Sequence, residues 1–93
     1  MLRVLDLFEL KEKGTILYCK DDDFNNMSKN EVCNYISKIN KIKIYDKNLN
    51  GKEFNIKNYD VMTSLSDKIA VALLIDKTID GNNIMIPSDI LIL

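Results

Sequence analysis

The chain has 93 residues and a mass of 10.7 kDa, a length expected to form one domain, residues 1–93, around one hydrophobic core. Histidine is absent, so Ser-His and Cys-His nucleophile pairs and histidine metal ligands are excluded. Thirteen basic and fourteen acidic side chains give a net charge of -1, which lacks the basic excess typical of proteins that bind nucleic acid through its phosphates.

Two apolar stretches near the N terminus predict a β-hairpin. Residues 2–8 and 15–19 are mostly apolar, and a polar link that ends in Gly14 joins them. Three adjacent carboxylates follow, and because like charges repel and Asp is a poor strand former, they are expected to end the second strand.

The next segment predicts the one helix of the chain, near residues 28–40. Ser28 and Glu31 have the spacing of a capping box, in which each side chain satisfies a backbone amide of the first turn. The apolar side chains that follow fall at helical spacing: Val32, Tyr35, Ile36 and Ile39.

The remainder of the chain predicts short strands. Residues 41–45 alternate with period two, and the pair Asn50-Gly51 is typical of a tight hairpin turn. Residues 54–62 resume the alternation, residues 64–68 form a polar break, and the apolar run 69–75 indicates a strand buried on both faces. A turn at 80–83 precedes the last extended pieces, and Pro87 is expected at a strand start, edge or break. Six or seven short strands with one inserted helix predict a mainly β fold, a small closed barrel.

Three blocks of the sequence follow one known pattern in order. Residues 4–10 (VLDLFEL) with 13–17 (KGTIL), then 70–75 (AVALLI), then 88–91 (SDIL) span nearly the whole chain. They resemble the V-x-D-V-F-x-I-x-G-R-G-T-V-V hairpin, a later V-G-L-L-L strand and the closing G-D-V-L of domain II of translational GTPases such as elongation factor Tu. The resemblance implies a six-stranded Greek-key barrel.

The chain also departs from that family. Glu12, Ala72 and Ser88 stand where the family often has glycine, and an acidic run and a helix at about residues 20–40 replace a short link. The family's GTPase domain and its Gly-rich phosphate loop are missing from this sequence, so nucleotide hydrolysis is not expected. Ile56-Lys57-Asn58 occupies a region where the family often has an acidic residue, which argues against binding of the tRNA end.

Two patterns of acidic residues resemble a metal site or a catalytic site, but neither pattern indicates one. Asp21-x-Asp23-x-Asn25 begins like a calcium loop but has Asn26 where glycine is needed and Val32 in place of the bidentate glutamate. No metal or cofactor is therefore expected. The pair formed by Asp76 and Asp80 lies at a strand exit and a turn, where aspartate is common for backbone reasons.

The cysteines and the N terminus indicate a cytoplasmic protein. Cys19 and Cys33 have no further soft ligands near them, so free, reduced thiols are expected. The N terminus lacks the pattern of a secretory signal, and no apolar run is long enough to span a membrane.

The middle of the chain is basic. Residues 38–57 carry two acidic side chains and six lysines: Lys38, Lys41, Lys43, Lys47, Lys52 and Lys57. On an alternating strand, Lys41 and Lys43 share a face with Tyr45, an arrangement that binds single-stranded nucleic acid by charge and stacking. The same pattern is also that of a solvent-exposed strand face, and both interpretations stay open at this point.

These features favour a non-enzymatic protein-binding module. The most concrete form is an immunity protein that neutralises a bacterial toxin, for example a nuclease, because an acidic surface complements the basic surface such a toxin needs. Alternatives are an RNA- or ribosome-associated barrel, and a mimic of elongation-factor domain II. The residues expected to contact the partner lie in the insertion: Asp21, Asp22, Asp23, Phe24, Met27 and Glu31.

Overall fold

A computed structural model describes residues 1–63, 68–79 and 84–93, and it is mainly β with one α-helix. The mainly β fold with an inserted helix that the sequence predicts is therefore confirmed. A short 3-10 helix, Asp22–Asn26, precedes the α-helix. The other elements are β1 (Arg3–Leu10), β2 (Gly14–Lys20), α1 (Lys29–Ser37), β3 (Lys41–Tyr45), β4 (Gly51–Thr63), β5 (Ile69–Ile75), β6 (Ser88–Asp89) and β7 (Leu91–Ile92).

The seven strands form one antiparallel sheet in the order β6-β1-β2-β5-β4-β3-β7. The stretch β2-β5-β4-β3 is a Greek key. A long connection leads from β2 to three consecutive strands, β3, β4 and β5, and the last of these lies beside β2. Only Ile90 separates β6 from β7, so one segment pairs with both edges of the sheet. The Ile90 amide also donates to the Leu2 carbonyl at 2.9 Å. This segment nearly closes the sheet into the predicted barrel.

The core lies between the inward faces of the strands. Every second residue of β5 points inward, from Ile69 to Ile75, and Ala72 and Leu74 between them are half-buried on the outside. The prediction that this strand is buried on both faces is therefore wrong for Ala72 and Leu74, because a single-layered barrel exposes one face of each strand. The inserted segment adds its own apolar residues to the same core: Phe24, Val32, Ile36 and Ile39.

The helix begins where the sequence predicts. The Ser28 hydroxyl accepts from the Glu31 amide at 3.2 Å, and the Glu31 carboxylate accepts from the Ser28 amide at 3.1 Å, so the capping box is confirmed. The helix ends at Ser37, earlier than predicted. There the Ser37 hydroxyl donates to the Asn34 carbonyl at 2.8 Å, and β3 starts four residues later.

The turn between β3 and β4 differs from the prediction. The Asp46 carboxylate accepts from the amides of Asn48 and Asn50, both at 2.9 Å, and this Asx-type arrangement makes a longer loop. Leu49 has the positive φ of this loop, at 64°, and Gly51 already lies in β4 opposite Tyr45. The prediction of a tight Asn50-Gly51 turn is therefore wrong.

Some predictions fall partly on residues that the structure does not describe. Residues 64–67 of the predicted polar break and the predicted turn at 80–83, with Asp80, lie outside the described residues. The stretch 54–62 is part of one long strand, β4, whose pairing register shifts between Ile56 and Asn58. Pro87 immediately precedes β6, as expected of a proline at a strand start, and its peptide bond with Ile86 is cis.

Candidate protein-binding surface

Asp21 is part of the framework of the insertion. Its side chain is 4% exposed, and its Oδ1 accepts from the Asp23 amide at 3.0 Å as the N-cap of the 3-10 helix. The same oxygen lies 3.3 Å from the Met1 nitrogen. A carboxylate that is buried and already bonded has little left to offer a partner, so the expectation that Asp21 contacts one is wrong.

Phe24 is also unavailable to a partner. It is 1% exposed and packs edge-on against the Tyr35 ring, with 6.3 Å between the ring centroids. The 3-10 helix directs Phe24 into the core while Asp22 and Asp23 face solvent. The prediction of an exposed aromatic anchor at Phe24 is therefore wrong, because the apolar side chain in an acidic segment serves to attach that segment to the barrel.

The remaining residues of the predicted partner-binding site also differ in their exposure to solvent. Met27 is half-buried against the core, whereas Asp22, Asp23 and Glu31 are exposed. The Glu31 carboxylate already accepts the Ser28 amide in the capping box. Burial raises the pKa of Tyr35, and the negative charges of Asp21 and Asp23 raise it further. The insertion therefore presents carboxylates without the apolar centre that protein interfaces need.

The basic strand face is present but partly neutralised. Lys41, Lys43 and Tyr45 lie on the outer face of β3, because Ile42 and Ile44 between them are buried. The Lys43 Nζ lies 5.4 Å from the centroid of the Tyr45 ring. Glu53 pairs across the sheet with Lys43, and its Oε1 lies 3.9 Å from the Lys41 Nζ. An anionic side chain therefore lies within the surface that would have to bind phosphates.

A different surface combines apolar and acidic side chains. On the outer wall of the barrel, Phe8 of β1 lies opposite Ile16 of β2, which lies opposite Leu74 of β5. Neighbouring strands are about 4.8 Å apart, so these three side chains form a continuous row. Phe8 is 53% exposed, and Ile16 and Leu74 are half-buried.

The adjacent row carries a carboxylate at each end. Asp6 lies opposite Tyr18, Tyr18 opposite Ala72, and Ala72 opposite Asp60. Neither Asp6 nor Asp60 forms an ion pair with another residue in the described part of the chain. The two rows together are called the wall patch: Asp6, Phe8, Ile16, Tyr18, Asp60, Ala72 and Leu74.

The wall patch includes a shallow groove. The groove has a volume of about 180 Å³, and it lies between β2, β5 and β4 with Tyr59 at its edge. Beside the groove, the Lys20 Nζ lies 5.9 Å from the centroid of the Tyr18 ring of the wall patch. The groove combines the apolar side chains of Ile16, Ala72 and Leu74 with Tyr59 and one carboxylate, that of Asp60.

Sequence reasoning missed the wall patch because of an irregularity in β1. The pairing register shifts between Val4 and Asp6, so both Val4 and Leu7 pair with inward residues of β2 although they are three positions apart. The shift reverses the inside-outside alternation, and Phe8 comes to face solvent. The only signal in the sequence was that Phe8 and Ile16 are large apolar residues close to the hairpin turn.

Among the residues that the structure describes, the remaining titratable candidates do not form a site together. Hydrogen bonds from Asn55 lower the pKa of Asp76, and its proposed partner Asp80 lies outside the described residues. Cys19 is buried and Cys33 half-buried, and both are free. Among residues 1–63, 68–79 and 84–93, no group of three or more Cys, Asp or Glu side chains is placed to hold a metal ion.

Comparisons of the chain with protein-family models, with curated proteins and with solved structures find no match. Within the described ranges, no helix has the length and apolar character needed to cross a membrane. The surface of this chain, and above all the wall patch, is therefore the basis for inferring its function.

Proposed function

We propose that this chain is a non-enzymatic protein-binding module that inhibits its partner by covering a basic surface. In its most concrete form it is an immunity protein that neutralises a bacterial toxin in the cytoplasm, and a nuclease fits best. The observation that carries the proposal is the wall patch, where an exposed phenylalanine lies beside two carboxylates that have no ion pair with a described residue.

The chemistry of the wall patch suits a partner with an apolar side chain among lysines or arginines. Aromatic side chains at the centre of an interface dominate the binding energy. Carboxylates around them accelerate association with a basic partner and select against acidic ones. A nuclease needs a basic surface to bind its substrate, so a protein that covers this surface both binds and inhibits.

The RNA-binding alternative has weaker support. Phosphate would meet Asp6 and Asp60 on the wall patch and Glu53 on the lysine face, and like charges repel. Two separate proposals are that the chain is related to domain II of translational GTPases and that it mimics this domain. Both rest on the three sequence blocks alone.

Co-expression tests the inhibitor proposal. The gene adjacent to the one that encodes this chain is expressed in a bacterial host, alone and together with this chain, and growth is measured. We expect growth arrest from the adjacent gene alone and recovery with this chain. The toxin-inhibitor form of the proposal is contradicted if the product of the adjacent gene does not arrest growth, or if this chain does not relieve the arrest.

Matched variants then test which surface binds the partner. Replacing Asp6 and Asp60 by asparagine should slow association and flatten its dependence on salt, at a total cost of about 1–4 kcal/mol in affinity. The control pair is Asp22→Asn with Asp23→Asn, in the insertion. If both variant pairs lose the same affinity, the charges act only through the electrostatic field of the whole protein. If only the control pair loses affinity, the binding site lies in the insertion.

A further inference from the structure

The end of the barrel away from the helix contains a pocket of about 410 Å³. The helix lies where β2 ends and β3 begins, whereas the pocket lies where β3 and β5 end and β4 begins. Four side chains of the core line its apolar part: Ile44, Phe54, Ile79 and Ile84. The volume is within the range of small-molecule sites in proteins.

Two lysines line the polar part of this pocket. Lys52 pairs with inward-facing Ile44 and lies two residues before inward-facing Phe54, so its side chain belongs to the inner face of the barrel. Lys77 follows β5 and lines the same pocket. Neither ammonium group forms an ion pair of 4.0 Å or less with another described residue.

The acidic residue of the pocket is already engaged. Asp46 lines the pocket, but its Oδ1 accepts two backbone amides of the β3–β4 turn, those of Asn48 and Asn50. Among the described residues that line the pocket, there are therefore two cations and one carboxylate, and that carboxylate is committed to the backbone. An anionic group at this mouth therefore meets more attraction than repulsion.

The wall of the pocket formed by residues 77–79 is fixed in place. Thr15 is fully buried, and its hydroxyl donates to the Lys77 carbonyl and accepts from the Ile79 amide, each at 3.0 Å. Gly14 lets the two segments approach, because a Cβ at this position would collide with the Ile75 carbonyl. A wall segment that hydrogen bonds already hold in place loses little conformational freedom when a ligand binds, which lowers the cost of binding.

We propose that this pocket binds a small anionic amphiphile, with a carboxylate or sulfonate group between Lys52 and Lys77. The aliphatic or aromatic body of the ligand lies against Phe54 and the isoleucines. The site is independent of the wall patch, so it adds a ligand to the proposed function and does not depend on it.

The test uses a fluorescent pair that differs in charge: 1-anilinonaphthalene-8-sulfonate and the uncharged N-phenyl-1-naphthylamine. The variant pair Lys52→Gln with Lys77→Gln should weaken binding of the sulfonate by about tenfold or more and leave the uncharged probe nearly unaffected. The matched control is Lys11→Gln with Lys57→Gln, which removes the same charge from exposed positions outside the pocket. Thermal melting of both variants checks that they fold.

A competition experiment and a wall-patch variant complete the test. Octanoate should displace the sulfonate from the native protein, and octanol should do so less well. Phe8→Ser should leave probe binding unchanged, since Phe8 lies on the wall patch. The proposal is overturned if the folded protein does not bind the sulfonate, if both lysine pairs weaken it equally, or if Phe8→Ser abolishes it.

Discussion

Asp21 and Asp22 are neighbours in sequence with different roles. Asp21 is buried and caps the 3-10 helix, whereas Asp22 is exposed. Asp21→Ala should lower the free energy of unfolding by about 1–2 kcal/mol because it removes the cap. Asp22→Ala should change it by about 0.5 kcal/mol or less. Urea denaturation measures both, and equal effects would contradict the structural role of Asp21.

The Cys19 thiol gives a prediction about pH. Burial raises its pKa from an ordinary value of 9.0 to about 12. A raised pKa in the folded state stabilises the fold below the pKa of the unfolded chain, and this contribution is lost as pH rises from about 9 towards 12. The loss should approach about 1.4 kcal/mol per pH unit in this window. Denaturation at several pH values measures it, and Cys19→Ala should remove the slope that Cys33→Ala retains.

The same difference in burial predicts the chemical reactivity of the two thiols. Only thiolates react rapidly with iodoacetamide, so half-buried Cys33 should be alkylated before Cys19 in the folded protein. Mass spectrometry of the digested protein measures the order. Reducing agent should not change the melting temperature, and faster labelling of Cys19 would contradict its burial.

At the scale of single elements, the two glycines that begin strands are not equivalent. Gly14 has a φ of 121° and lies against the Ile75 carbonyl, whereas an added Cβ at Gly51 would meet only side chains, of Lys43 and Tyr45. Gly14→Ala should lower stability by more than about 2 kcal/mol. Gly51→Ala should change it by about 1 kcal/mol or less. Thermal melting compares the stability of the two variants. A large loss of stability in Gly51→Ala would favour the tight turn at Asn50-Gly51 that the sequence predicts.

Sequence patterns predicted elements best where the signal was local. The capping box of Ser28 and Glu31 specifies the start of α1 through contacts within one helical turn, and the hairpin of β1 and β2 follows from two apolar runs around a Gly-terminated link. The Asn50-Gly51 pair led to a wrong prediction because of a competing signal, Asp46. Its side chain accepts hydrogen bonds from the backbone amides two and four residues further along the chain.

The candidate site could not be predicted because it depends on contacts between distant elements. The burial of Phe24 depends on its contact with Tyr35 and the barrel, not on the acidic residues around it. The wall patch joins β1, β2, β5 and β4 through their pairing register, and a shift of one residue in β1 decides which side chains face solvent.

For the whole molecule, closure of the barrel depends on the segment around Ile90. Ile90 is 1% exposed and lies between the two short strands that pair with β1 and β3, whereas Leu91 is 37% exposed. Ile90→Ala should lower the free energy of unfolding by about 2–5 kcal/mol, and Leu91→Ala by about 0.5 kcal/mol. Chemical denaturation checks the difference, and equal costs would mean that closure contributes little to stability.

The pairing of Arg3 with Asp89 also bears on how fast the chain folds. Contacts between residues so far apart in sequence carry a large loop-closure entropy and are typical of slowly folding β proteins. The closing pairs are therefore expected to form after the transition state, once β2, β5 and β4 have assembled. In stopped-flow experiments, Ile90→Ala should accelerate unfolding and leave the refolding rate nearly unchanged, whereas Leu73→Ala, in the middle of that sheet, should slow refolding.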